Sequence, residues 1–595
     1  MQDTNEHIHV HVYLYVELSV SNAEKRHFLE YSKHAMSELI EHEKEKYNNA
    51  AMEVDQTITE TDDNDTDNTD EDNWVISTCA PGKVLLAGGY TVLERPNVGL
   101  VLSASNASLH CSICVRGALS EEFVLLSSPS ILREWFNEEM PIKDEKVDNL
   151  ETPKQCFTVN VYSPQFASVS CYRIDYSSDS HSVEVLAQYP QHHQSNRLVE
   201  ETLKYTFIYI RQCMPCFQEY LHQLNLLQCG TTALVVQLRG ENDFYSQTGN
   251  QDLPPFWPLP IQNERVVIHK TGLGSSAALV TCLVACLLKV FGLADDLPLM
   301  YLNSREESEE EICSDSASRM IVHNLAQICH CAAQESIGSG FDISAACFGS
   351  QTYTRFSPET LANVDASNLV DLVHSKWDQI VEPISLPRGL QLLLADVCGG
   401  SCSPGMARKV MQWKKTAGSD HSVWQQLVKV NGLLKTSMQC LGQLSFELQR
   451  LGKSLALQTV AQWQVLADNE DDSETDDYLE SRVCAKALVQ WHFLMSRQRS
   501  LMKQLGQLAG VDIEPNVQTE LCDYTNQIPG VVSTSVPGAG GMDALCVVYL
   551  DVENTRELIL ESWRQWNETH STHLVNALNV KASPGGGVYE TDLDF

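Results

Sequence analysis

The sequence predicts a protein of mixed strands and helices divided into two or more domains behind an acidic N-terminal segment. Three observations lead there. The chain is 595 residues long, several times a single domain, and 43% of it is hydrophobic, enough to fill real cores. Short alternating apolar segments dominate the first half. Long helical patterns dominate the second, and the change of character places a domain boundary within residues 357–388.

In order along the chain, residues 8–16 alternate as an edge strand would, 23–46 read as a charged helix, and 53–73 form an Asp/Thr/Asn-rich linker. Folding is expected to begin at Trp74, where WVISTCAPGKVLLAGGYTVL reads as strand, Pro-Gly turn and strand, followed by the apolar run VGLVLSAS. Further strands are expected at 108–115, 159–161 and 172–176, with polar insertions at 137–155 and 177–197. A helix over 198–227 precedes a strand at 233–238, a Pro-rich loop, and the apolar helix that follows a glycine loop. Another helix is expected at 317–334. Beyond the boundary come a buried strand at 390–397, helices at 404–416, 420–452 and 478–508, and a strand at 545–550.

The net charge of −37 argues against binding nucleic acid or an anionic membrane, since such partners require a basic face. The acid is uneven. Residues 1–73 carry 19 acidic and 5 basic side chains, and the runs Arg305–Asp315 and Asp468–Glu480 carry 6 and 8 acidic ones. These blocks read as solvated tails and loops around a mildly acidic body. Twenty cysteines without a signal-peptide pattern point to a reducing cytosol. The pairs Cys111/Cys114 and Cys213/Cys216 read as buried thiols, not as half zinc sites. Ala277–Leu293 is too short for a membrane span and contains Lys289, so it reads as a buried helix.

Chemistry is expected at three glycine clusters. The strongest is KTGLGSSAA, Lys270 to Ala278, a glycine-rich turn entering a helix. Glycine lets the backbone approach a phosphate, while the free N–H groups and dipole of a helix start attract its charge. The hydroxyls of Ser275 and Ser276 can bind phosphate oxygens or magnesium. The pattern is neither a P-loop nor a dinucleotide fingerprint. The second cluster, GSGFDISA, places Asp342 at a helix start, and the third, VPGAGGMDA, precedes a strand.

APGKVLLAGGYTVL, KTGLGSSAA and PGAGGMDA resemble, in this order, the three motifs of the GHMP kinases. GSGFDISAACFGS and LLLADVCGGSCSPGMARKVMQW are similar to those of the eukaryotic phosphomevalonate kinases within that superfamily. The resemblance spans roughly residues 74–590. It implies a two-domain α+β fold: an ATP-binding α+β domain at 74–375 and a ferredoxin-like α+β domain at 376–595, with the active site in the cleft between them. It also implies transfer of phosphate from ATP to phosphomevalonate, with magnesium. Other implied readings are another small-molecule kinase of the superfamily, such as mevalonate kinase, or a catalytically weak ligand-sensing homologue. Neither nucleic acid nor membrane is an implied partner, and monomer and homodimer both stay open.

Carried over residue by residue, the resemblance gives Lys83, Lys270 and Asp342 catalytic roles, the lysines on the donor and acceptor phosphates. Asp342 would orient Lys83 or magnesium. Gly272, Leu273, Gly274, Ser275, Ser276 and Ala277 would wrap ATP, with Ser276 on magnesium. Ser401, Ser403, Lys409, Gly538, Ala539, Gly540 and Gly541 would meet the acceptor, near Met406. Two departures stand out. Glu335 and Ser336 replace a family Gly-Lys, so a carboxylate facing the cleft would oppose the substrate, and Gly405 replaces a serine.

Overall fold

The computed structural model describes residues 75–117, 155–166, 168–177, 182–188, 195–227, 232–246, 253–262, 265–300, 316–397, 403–418, 420–469, 475–570, 573–583 and 586–591. All belong to one compact unit, Asn73–Phe595. The expected strand at 8–16, helix at 23–46, linker at 53–73 and the acidic run at 305–315 lie outside the described residues.

Strands β1 (Val75–Ala87) and β2 (Val98–Gly117) pair antiparallel and carry the first motif. The Pro-Gly pair expected to turn the chain does not. β1 runs straight through it with a register shift between Pro81 and Gly82, a bulge that re-aims the following side chain. Gly82 is required there, because a Cβ would stand 2.9 Å from the Leu273 carbonyl oxygen and 3.0 Å from that of Ala107. β2 likewise absorbs both the VGLVLSAS run and the strand expected at 108–115.

Beside them lie β3 (Gln155–Ser163), β4 (Ser168–Tyr176), β5 (Val183–Gln188) and β6 (Thr232–Gly240). β5 falls inside an expected polar insertion; it is an edge strand with mostly uncovered side chains, so its apolar signal is weak. The expected helix over 198–227 is two, α1 (Arg197–Cys213) and α2 (Phe217–Gln223). Pro215 pushes Met214 to extended backbone and ends the first. Cys216, expected to be buried, is exposed at this break.

The short pair β7 (Ile261–Gln262) and β8 (Arg265–Val266) leads to α3 (Ser275–Val290), whose expected burial is nearly complete on all faces. β9 (Leu299–Met300), α4 (Ala317–Gln334), α5 (Phe341–Phe348), β10 (Gln351–Thr354), α6 (Leu369–His374) and β11 (Ile380–Pro383) follow. β12 (Leu390–Asp396), just past the expected boundary, opens a second sheet.

A helical stretch then comprises α7 (Ser403–Ala417), α8 (Ser422–Gln443), α9 (Ser445–Leu455), α10 (Val460–Asp468), α11 (Asp476–Ala509) and α12 (Asn516–Thr525). The acidic run at 468–480 is therefore not simply loop. Asp476 and Asp477 occupy the first turn of α11, where the helix dipole favours them, and Arg450 of α9 pairs with Asp477 at 2.6 Å and with Glu480.

β13 (Val531–Ser535) and β14 (Ala544–Leu550) complete the second sheet with β15 (Asn576–Ala577), in the order β13-β14-β12-β15, against α13 (Glu553–Thr569). Finally β16 (Ala582–Ser583) and β17 (Tyr589–Thr591) return to the first sheet beside β2 and β1. Among the described residues that sheet has 11 strands, with the path β5-β4-β3-β6-β2-β1-β17-β9, and β10 added to β2. The α+β class expected from the resemblance is the architecture observed.

Candidate active site

The glycine loop gets its shape from its own residues and its position from its neighbours. Gly272 and Gly274 adopt left-handed backbone at φ 80° and 82°, and Gly274 caps α3, a conformation other residues reach only under strain. Thr271 anchors the loop, its hydroxyl donating to the Asp243 carbonyl at 2.5 Å and its amide to Phe244 at 3.2 Å. Leu273 is buried. The first turn of α3, Ser275 to Ala277, follows directly, with Ser275 and Ala277 buried and Ser276 half-buried.

Lys83 crosses this loop. Its amide donates to the Leu273 carbonyl at 2.8 Å and its ammonium to the Gly272 carbonyl at 2.7 Å, while its stem lies against Gly274. The Phe341 ring lies 5.6 Å from the ammonium. Burial lowers the pKa of this lysine, and the carboxylates of Asp342 and Asp543 oppose that shift by favouring the charged form. Lys270, by contrast, keeps an exposed side chain on a β-bridge to Tyr245, and lost solvation lowers its pKa.

Asp342 stands in the first turn of α5, which Gly340 caps at φ 80°. Its carboxylate accepts the Ile343 amide at 3.1 Å. The preceding turn is held by three side chains. Gln327 donates to the Gly340 carbonyl at 2.7 Å, Tyr353 to Ser339 at 3.0 Å, and Arg355 to Ile337 at 2.9 Å. Gly340 has no room for a side chain, since a Cβ would come within 2.7 Å of Phe356.

The third cluster meets the first two. Gly538, Gly540 and Gly541 all take positive φ. The Gly538 amide donates to Leu85 at 3.0 Å, Tyr90 donates to the Ala539 carbonyl at 2.5 Å, and the Gly541 amide donates to Ile513 at 2.8 Å. Asp543 follows, its carboxylate oxygen 3.7 Å from where a Cβ on Gly272 would sit. Lys83, Asp342, Gly272, Gly274 and the 538–541 loop are thus brought together.

Two further residues lie beside these groups. Asp543 could have been noticed as the acid closing GAGGMD. His330 of α4 sits with Nε2 3.3 Å from the Ser276 hydroxyl and 2.9 Å from the Gln334 amide nitrogen. Burial and nearby Lys270 lower its pKa, opposed by Asp342; a lone histidine in a helical run gives no sequence signal of this.

Ser401 lies outside the described residues, Ser403 is the first residue of α7, and Lys409 is exposed on that helix, with Met406 half-buried against the core. Glu335 ends α4 at φ 51° and pairs with Arg197 at 2.7 Å, with 73% of its side chain exposed. At this left-handed C-cap its carboxylate is directed to Arg197 of α1.

No family model matches the chain. Among characterised proteins it is 33% identical over 546 residues to the Arabidopsis thaliana protein named "Phosphomevalonate kinase, peroxisomal", covering 86% of this chain and 95% of that one. It is 31% identical to the phosphomevalonate kinase of Aspergillus fumigatus, covering 82% and 90%. Among solved structures, Streptococcus pneumoniae phosphomevalonate kinase in complex with phosphomevalonate and AMPPNP is similar at 13% identity and TM-score 0.44, over 86% of this chain and 100% of that one.

Proposed function

This chain belongs to the phosphomevalonate kinase family, and on that premise we propose that it transfers the γ-phosphoryl group of ATP to (R)-5-phosphomevalonate, forming ADP and (R)-5-diphosphomevalonate in the mevalonate pathway of isoprenoid and sterol synthesis. The observation that carries this reading is the placement of Lys83 against the glycine loop, within reach of two carboxylates that come from the second and third motifs.

Phosphoryl transfer is largely positioning and charge neutralisation. The acceptor is itself a phosphate whose second pKa is near 6, so at neutral pH it presents an anionic oxygen without a base to remove a proton. Repulsion between two polyanions is then the main barrier. Gly272 to Ala277 offer backbone N–H groups and a helix start to the ATP phosphates. Lys83 and Lys270 supply positive charge for donor and acceptor, and Asp342 and Asp543 favour the charged form of the half-buried Lys83. Gly538 to Gly541 would border the acceptor, with Ser403 and Lys409 of α7 as further groups to meet it.

The oxygen donors here suit magnesium, a hard cation. Ser276 is the residue that would hold it, and the ion would neutralise phosphate charge when bound. No helix among the described residues is long and apolar enough to cross a membrane. The cytosol is the compartment we propose, on buried cysteines such as Cys282, Cys329 and Cys347 that form no disulfide.

The test is ADP release by purified protein with magnesium and phosphomevalonate, mevalonate or no acceptor. Turnover dependent on phosphomevalonate is expected. Preference for mevalonate would reassign the acceptor, and no acceptor-dependent turnover would favour a ligand-sensing homologue.

A further inference from the structure

Tyr90 is the residue whose backbone and side chain the chemistry above leaves unexplained. It is buried, at 4% exposure, yet holds φ 61° and ψ −42°, a combination costly for a residue with a Cβ. Such an outlier persists only where the surroundings over-determine it, and outliers of this kind cluster at working sites. Gly88 at φ 104° precedes it, and the 3-10 turn Thr91–Leu93 follows.

The surroundings are unusual in coming from far along the chain. Asn431 of α8 donates to the Thr91 hydroxyl at 2.9 Å, and Lys414 of α7 pairs with Glu94. A Cβ on Gly89 would meet Met502 of α11 at 2.7 Å and the Gly538 carbonyl at 2.8 Å. From this pinned turn the Tyr90 hydroxyl reaches the Ala539 carbonyl, one residue beyond the Gly538 amide that bonds Leu85. On its far side the loop is held by Gln518, which donates to Gly541 at 3.3 Å, and by Ile513.

We propose that Tyr90 is a positioning residue: its hydroxyl sets the seating of the 538–541 loop on β1, and through it the approach of Asp543 to Gly272 and Lys83. What it positions rests on the kinase reading above; that it seats the loop does not. The strained backbone is the means, since relaxation to ordinary φ would swing the phenol off the loop.

Tyr90→Phe in the full chain keeps the ring and its packing and removes only the hydroxyl. With ATP and phosphomevalonate, kcat is expected to fall about tenfold, the size of effect one lost hydrogen bond can give. The KM for ATP should stay within about twofold, and the thermal midpoint within about 2 °C. Independently of activity, hydrogen exchange at amides 538–541 should quicken about tenfold, with β13 and β14 unchanged. Wild-type exchange in the loop overturns the proposal, and so does loosening spread evenly through β1, β2 and the second sheet, which would mark Tyr90 as merely structural. If the wild-type chain turns over no acceptor, the kinase reading fails, and the exchange result still decides whether Tyr90 seats the loop.

Discussion

Lys83 is where opposing electrostatic terms meet: burial lowers its pKa, and Asp342 and Asp543 raise it. Its charge is what a phosphate needs. Lys83→Met and Asp342→Asn are each expected to lower kcat by about 10²–10³-fold, with folding intact by circular dichroism; near-normal rates in both would show that the site is elsewhere. The sign of the pH effect follows from the same terms. Activity that requires the ammonium falls as pH rises through its folded pKa, and Asp543→Asn removes one of the groups holding that pKa up. The basic limb of the kcat profile should then move to lower pH, and a limb that stays in place would take Asp543 out of the Lys83 environment. Glu335 offers a different kind of test. Glu335→Gly relieves a left-handed cost of about 1–2 kcal/mol and forfeits an exposed ion pair that contributes little to stability. A small gain in thermal midpoint is expected with an unchanged acceptor KM. A KM that tightens would return the carboxylate to the cleft.

At the scale of elements, α4 acts as the wall that holds the second motif. Gln327 grips Gly340 from it, and the fully buried His323 packs beside Gln327, bonded to Asn324 at 2.9 Å and ringed by Phe348 and Trp377. Burial lowers the His323 pKa from 6.5 to about 4. As pH falls below 6.5 the unfolded chain takes up this proton before the folded one does. The stability contributed by the neutral ring is therefore complete above pH 6.5 and lost as pH falls toward 4. The thermal midpoint of the wild-type chain should drop over that window more steeply than that of His323→Gln, and equal slopes would assign the acid sensitivity elsewhere. Elements were largely legible where one physical signal dominated: α3 by unbroken apolarity, α4 and α11 by helical period. They were misjudged where tertiary contact overrode a local cue. The Pro-Gly pair of β1 bulges instead of turning because β2 pairs with the strand on both sides of it, and Pro215 splits a helix whose apolar pattern runs across the break.

For the whole molecule, residues 73–595 form a unit of their own. Removal of residues 1–72 is expected to leave its thermal transition and kcat within about twofold of the full chain, measured side by side; a lost transition would make the acidic segment part of the fold. ATP with magnesium at about one hundred times its dissociation constant should stabilise the unit by about 2.7 kcal/mol, read as a rise in thermal midpoint. The sequence by itself determined the three glycine motifs, their order, the lysine and aspartate beside them and the membership of an α+β kinase family, because glycine at a positive-φ turn and charge at a helix start are local requirements written in residue type. Only the tertiary structure decided which of these groups meet. Asp543 reaches Lys83, His330 reaches Ser276 and Tyr90 reaches Ala539 across sequence separations of 460, 54 and 449 residues. It also decided that Glu335 pairs with Arg197. Such encounters depend on how sheets and helices pack, and no periodicity or local motif encodes them.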